Sequence, residues 1–203
     1  MLLGYGEDAL TLWAITKGLP SLLRQLEDDT PEKDVLVLFR PSFGRRSPNP
    51  KAMPSVFGEF DAIMRSKSAN YLIEGKWNKS SELSKSTLDV EDRQQKRHEV
   101  MHWYYDNWQR NPKESWANFR KRSKTFFETT FPGRTMPTAG TTLARNLEYV
   151  LDLMKDTELP LYDVLLFSTV HSGLQPSAIN PSYFRLVVMN VEPVGGDGFI
   201  MID

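Results

Sequence analysis

The sequence predicts an α/β fold: a central mixed β-sheet flanked by helices. Three observations lead there. Short apolar runs of strand length recur at 35–40, 70–77, 162–169 and 184–191. Between them lie segments whose apolar residues follow helical spacing. Finally, a chain of 203 residues, 40% hydrophobic and 25% charged, has the size and composition of one well-cored domain.

Residues 7–26 carry Leu10, Trp13, Ala14, Leu22, Leu23 and Leu26 near helical spacing, with Gly18 and Pro20 dividing the stretch into two short helices. A charged turn follows at 28–33. The run VLVLFR at 35–40 is apolar on both faces and predicts a central strand. Residues 41–54, rich in Pro, Ser, Asn and Arg, predict a loop. Two strands at 56–64 and 70–77, joined by the polar connector 65–69, predict a hairpin. Helices are expected at 89–107, 115–128 and 141–155, the last capped by Thr141 or Thr142. Strands follow at 162–169 and 184–191, and the glycines at 195–198 mark a turn. The expectation is one domain over 1–203, with 108–155 as a helical insertion.

Lys and Arg number 25 against 26 Asp and Glu, a formal net charge of −1. This excludes a protein that coats nucleic acid by bulk charge, but not an enzyme with a local basic cleft. The absence of cysteine excludes disulfides, thiolate zinc sites and a cysteine nucleophile, and fits a cytoplasmic setting. Three scattered histidines do not supply a zinc site. Any metal should therefore be a hard cation held by carboxylates. No signal-peptide pattern is present, and no apolar run approaches the roughly 20 residues that span a bilayer.

The chemistry concentrates in GEFDAI (58–63) and YLIEGKW (71–77). Alternation puts Glu59, Asp61 and Ile63 on one face of the first strand, and Glu74 and Lys76 on one face of the second. Pairing the strands lets Asp61 and Glu74 meet with Lys76 beside them. Acids and a lysine within apolar strands are costly unless compensated. Mg²⁺ or Mn²⁺, held by one carboxylate from each strand, the Gly75 carbonyl and waters, would compensate them. Such an ion activates a bound water toward a phosphodiester, and Lys76 orients that water and offsets transition-state charge.

Asp61 followed by Glu74-Gly75-Lys76 resembles the PD-(D/E)xK nuclease superfamily, in which an acid on the second core strand precedes E-x-K on the third. The element order, helix, three strands, helix and strand, is also similar. The resemblance implies a restriction-endonuclease-like core and a Mg²⁺-dependent nuclease, with DNA as the nucleic acid. It implies Asp61 and Glu74 as metal ligands and Lys76 as the catalytic lysine. It places Glu7 where members carry an extra acid, and Gln95 where members carry a polar helix residue. Asp61 follows Phe60 rather than the proline of the family's name.

Other readings stay open beside this one. The hairpin acids can be an exposed Glu–Lys pair without function, and Glu59 is either a third ligand or solvated. Arg40, Arg45 and Arg46 either hold phosphates or keep a loop soluble. Arg120, Lys121, Arg122 and Lys124, interleaved with Trp116, Phe119, Phe126 and Phe127, either bind a nucleic-acid backbone or form the outer face of an amphipathic helix. His171 lies in TVHSG, but no G-x-S-x-G elbow accompanies it. Two alternatives to an enzyme stay open: an inactive nuclease-fold subunit of a larger nucleic-acid complex, and a protein-interaction domain in which the acidic hairpin is only surface and Trp103, Tyr104, Tyr105, Trp108 and Trp116 form an interface. Nucleases that cut both strands are commonly two-fold dimers, so a homodimer is also allowed.

Overall fold

The computed structural model describes residues 1–43, 58–78, 83–84, 86–109, 114–154, 159–170, 175–194 and 198–202. The elements run β1 (Leu3–Tyr5), α1 (Glu7–Ala14), α2 (Leu19–Gln25), β2 (Leu36–Phe39), β3 (Ala62–Arg65), β4 (Asn70–Trp77), β5 (Leu83–Ser84), β6 (Thr87–Asp89), α3 (Asp92–Gln109), α4 (Trp116–Thr130), α5 (Thr142–Met154), β7 (Leu161–Val170), β8 (Ala178–Asn180), β9 (Arg185–Val191) and β10 (Phe199–Met201). The chain is α/β, with a central mixed sheet of order β2-β3-β4-β7-β9. The first three strands are antiparallel neighbours, and β4, β7 and β9 run parallel.

The chain divides into two compact units. One comprises Met1–Pro41, Phe60–Asp92 and Leu159–Asp203, and the other Ser42–Glu59 and Arg93–Glu158. The segment 108–155 thus falls within the longer of the two stretches of the second unit, Arg93–Glu158.

In the first unit α1 and α2 cover one face of the sheet. Ala14, Leu19, Leu22 and Leu23 pack on Ala62 and Met64 of β3, Tyr71 and Ile73 of β4, Val164 and Leu166 of β7, and Val187 and Met189 of β9. The break between the helices falls where expected: Gly18 precedes α2, and Pro20 sits in its first turn, where a missing N–H costs nothing. On the opposite face, Leu165 and Phe167 of β7 cluster with Leu88, Val90 and Phe184. Each buried branched side chain removed from water in this way contributes about 1.5–3 kcal/mol.

The structure differs from the sequence expectations in three elements. The 35–40 run is the edge strand of the sheet, not a central one, and Leu36 and Phe39 are exposed. Of the strand expected at 56–64, residues 56–57 lie outside the described residues, and within 58–64 regular strand begins at Ala62 and continues to Arg65. The helix expected from residue 89 starts at Asp92, because Leu88 is buried and Asp89 pairs with Asn180 in a second, three-stranded sheet. There the Asn180 side-chain amide donates to Asp89 Oδ1 (3.0 Å) and Val90 N–H to the Asn180 carbonyl (2.8 Å).

The second unit is built on aromatic rings. Trp103, Tyr104, Trp108, Trp116, Phe119, Phe127 and Phe131 are all buried, in edge or tilted contacts such as Trp108–Phe119 at 5.1 Å and Trp103–Phe127 at 5.0 Å. Two buried indole N–H groups find acceptors: Trp116 Nε1 donates to the Pro137 carbonyl (3.0 Å), and Trp108 Nε1 to Asp152 Oδ1 (3.1 Å). Thr141 caps α5 by accepting from Ala144 N–H (3.2 Å). Trp103, Tyr104, Tyr105, Trp108 and Trp116 are therefore core, not an exposed interface.

Candidate metal centre on the third strand of the sheet

The hairpin forms as its sequence suggests. β3 and β4 pair antiparallel with Ala62 opposite Ile73 and Arg65 opposite Asn70. Ser66 closes the turn: its hydroxyl accepts from Ala69 N–H (3.0 Å) and from Ser68 N–H (2.9 Å).

One residue before β3, the ladder departs from regular geometry. The Asp61 carbonyl accepts from Arg40 N–H on the β2 side (3.0 Å), while the Asp61 N–H turns to the Ile73 carbonyl on β4 (3.2 Å). In a regular strand both backbone groups of a residue face the same neighbour. Asp61 therefore occupies a bulge-like bend, of the kind that re-aims a side chain. Strict alternation would have stood its carboxylate on the Glu74 face. Instead Asp61 Oδ2 accepts the backbone N–H of Gly75 at 2.7 Å. The carboxylate supplies the acceptor that β3 no longer provides where it parts from β4. The Gly75 carbonyl leaves the strand on the same side as its N–H, so it opens on the same fork.

Gly75 is required by a close approach, as glycine within a strand often is. A Cβ there would lie 2.3 Å from Thr11 Oγ1 of α1, 3.5 Å from Asp61 Oδ2 and 3.6 Å from Glu7 Cγ. Glu7 and Thr11 are one helical turn apart on one face, and this face is seated on Gly75. Thr11 is fully buried and Glu7 half-buried.

Glu74 and Lys76 take the other face of β4. The parallel register sets Glu74 beside Leu165 and Lys76 beside Phe167. Glu74 is 1% exposed and Lys76 6%. Neither lies on an exposed hairpin face, so a solvated cross-strand pair does not describe them. A carboxylate and an ammonium are held out of water among apolar side chains, where both cost free energy unless closely compensated.

Other residues singled out in the sequence fall elsewhere. Glu59 forms an isolated bridge with Ser42, and Gln95 is a half-buried residue of α3; both belong to the second unit. On α3 it is the neighbours Gln94 and His98 that are buried. Arg40 is exposed, has a left-handed backbone (φ 48°) and forms an ion pair with Asp8 in the first turn of α1. Arg120 Nε donates to the Met136 carbonyl (3.3 Å), and Lys121 is exposed. Arg45, Arg46, His171, Gly195 and Gly196 lie outside the described residues.

Sequence reasoning passed over Thr11, and the signal was present: a threonine four residues after an acid on a helix, and a glycine inside a strand. The gathered donors are carboxylate and carbonyl oxygens, which suit Mg²⁺ or Mn²⁺. Among the described residues, no group of three or more Asp, Glu, His or Cys side chains is arranged to hold a metal ion. Mg²⁺ needs only one or two carboxylates, since waters and substrate phosphate fill the remaining positions. No helix among the described residues is long and apolar enough to cross a membrane. No protein-family model, no curated protein and no solved structure matches the chain.

Proposed function

We propose that this protein is a divalent-metal-dependent nuclease of the PD-(D/E)xK kind. In this reading Asp61, Glu74 and the Gly75 carbonyl hold the metal, and Lys76 orients the attacking water. The observation that carries it is the 2.7 Å hydrogen bond from Gly75 N–H to Asp61, which ties an acid re-aimed by a backbone bend to the Glu-x-Lys strand. Support also comes from the element order, in which a helical segment, three antiparallel strands and further helices precede a strand parallel to the third. Apart from the short β5 and β6 that intervene before α3, this follows the order that the resemblance implies for a restriction-endonuclease-like core.

The ion, when bound, supplies Lewis acidity toward the scissile phosphate and a water of lowered pKa. Asp61 and Glu74 would be the residues that hold it, with the Gly75 carbonyl next to Glu74 in sequence. The buried Lys76 ammonium donates hydrogen bonds toward the nucleophile and the phosphate oxygens, and it acts more strongly there than in water. Glu7, at the first turn of α1, offers a further acceptor for a metal-bound water. The choice of DNA over RNA rests on the resemblance alone.

The test is cleavage of supercoiled plasmid, single-stranded DNA and branched DNA with Mg²⁺, Mn²⁺ or EDTA. It compares the parent with Glu74→Gln and Lys76→Met. These replacements keep side-chain volume, whereas alanine at such buried positions leaves a cavity. Both variants should lose metal-dependent cutting by roughly a hundredfold or more. Parental activity in Glu74→Gln would sink the assignment. If the parent cuts nothing but melts higher with metal, it is a nuclease-fold binding subunit; if metal has no effect at all, the metal reading is wrong.

A further inference from the structure

We propose that the outward face of α4 is a second, metal-independent site that holds the sugar–phosphate backbone of a nucleic acid. The inward face of this helix, Trp116, Phe119, Ser123 and Phe127, is buried in the aromatic core. The outward face is thereby presented on a rigid element. Asn118, Lys121, Thr125 and Thr129 recur along it in steps of three or four residues with Arg122 beside them, all exposed and all bearing hydrogen-bond donors. The charged residues that α4 exposes, Lys121, Arg122 and Lys124, are all basic. This is the side-chain chemistry that grips phosphate oxygens without reading bases.

Two of these cations have protein partners that set their position. Arg122 pairs with Glu114 (2.9 Å) and lies over the Phe119 ring at 5.4 Å, and Lys124 faces Glu128 at 3.9 Å. Among the described residues no acid pairs with Lys121. Residues 114–130 carry four Lys and Arg against two Glu, a net charge of +2 in a chain whose total is −1, so this helix is a local excess of positive charge. An anionic membrane is the other polyanion to consider. A membrane-surface helix needs a free apolar face, and that of α4 is already buried. Only Phe126 stands exposed among its large apolar residues, in contact with Trp103 at 5.7 Å between ring centres.

That the held strand is also a substrate rests on the nuclease reading; the binding does not. The experiment is fluorescence anisotropy with a labelled DNA duplex and a labelled single strand in EDTA, where no metal chemistry runs, across a range of salt. The parent is compared with Lys121→Ala/Lys124→Ala and with Lys121→Arg/Lys124→Arg. Losing two phosphate contacts should flatten the slope of log affinity against log salt by about 2. Between about 50 and about 200 mM salt, the parent should therefore lose roughly tenfold more affinity than the alanine variant. The arginine variant should keep the parental slope. Equal affinity and slope in parent and alanine variant would overturn the proposal, whatever the cleavage assay shows. Binding to phosphatidylserine vesicles but not to DNA, abolished by the same alanines, would overturn it in favour of a lipid surface. A Glu74→Gln protein that is silent in cleavage but binds with the parental slope supports the α4 site on its own. Loss of binding in the alanine variant, alongside a parent that never cleaves, supports the site and removes the phosphodiesterase reading.

Discussion

β4 carries a carboxylate against each of its ends, and the two are treated differently. At the Tyr71 end, Asp28 is buried and closed in by neutral donors. Its Oδ2 accepts from the Tyr71 hydroxyl (2.7 Å) and its Oδ1 from Thr30 N–H (2.9 Å). Burial alone would push its pKa up, but hydrogen bonds from Ser66, Tyr71 and Thr30 outweigh it and hold Asp28 at about 2. Burial and the bond to Asp28 in turn push the Tyr71 hydroxyl up. At the Gly75 end two acids approach one glycine from its α1 side, Glu7 and Asp61, while Glu74 faces the other way. A fold that needed only a satisfied carboxylate has shown, at Asp28, how it makes one. The two ends thus differ in what meets the carboxylate: neutral hydroxyl and amide donors at Asp28, and the Gly75 backbone N–H at Asp61.

The contrast can be tested from its largest expected effect downward. Gly75→Ala places a methyl group 2.3 Å from Thr11 Oγ1, an overpacking that should cost roughly 3 kcal/mol in urea unfolding. Combining it with Thr11→Ala should recover more than half of that loss, because the two sites are in contact. Simple additivity of the two losses would show that the close approach is not what requires glycine.

Next comes the closed end. Asp28→Asn should cost about 2 kcal/mol near neutral pH, the free-energy equivalent of lowering an Asp from 3.8 to about 2. The sign follows from the depressed pKa. This stabilisation is complete above about 3.8 and is lost as pH falls toward about 2. Acid titration of unfolding free energy should therefore be steeper in the parent than in Asp28→Asn over that window. Parallel curves would mean that the Asp28 network adds nothing.

Metal addition sharpens the comparison further. Mg²⁺ or Mn²⁺ should raise the melting temperature of the parent and of Tyr71→Phe, but not of Asp61→Asn, because only a ligand bound to the folded state shifts unfolding. An equal rise in all three would place the ion elsewhere. The smallest effect should be Arg40→Ala. Its exposed pair with Asp8 is worth under about 1 kcal/mol, so a larger loss in calorimetry would give this contact a weight its exposure does not suggest.

Most of the hairpin and the Glu-x-Lys strand could be read in the sequence, because a residue period of two and a polar connector fix them locally. The Asp61 carboxylate could not. Its direction is set by where one backbone N–H turns, and side-chain patterning carries no trace of that. The edge position of β2 was hidden because an apolar run reads the same in the middle of a sheet and at its border. The short strands Leu3–Tyr5 and Phe199–Met201 pair across nearly the whole chain, and nothing within three residues announces such a partner. Thr11 and Gly75 were each visible, but their contact depends on how α1 lies on the sheet.

The parallel pairing of β4 with β7 has a consequence for how the protein is made. Lys76 and Phe167 are neighbours in the sheet, yet a ribosome delivers one long before the other. A chain interrupted after its helices would already contain Asp61, Glu74 and Lys76, but would lack the strand beside which the latter two are buried. Non-local parallel contacts form late because loop closure must come first. The strand that buries Glu74 and Lys76 therefore joins the sheet only after the intervening helices have been made, and a product cut short before β7 should leave both side chains exposed to water.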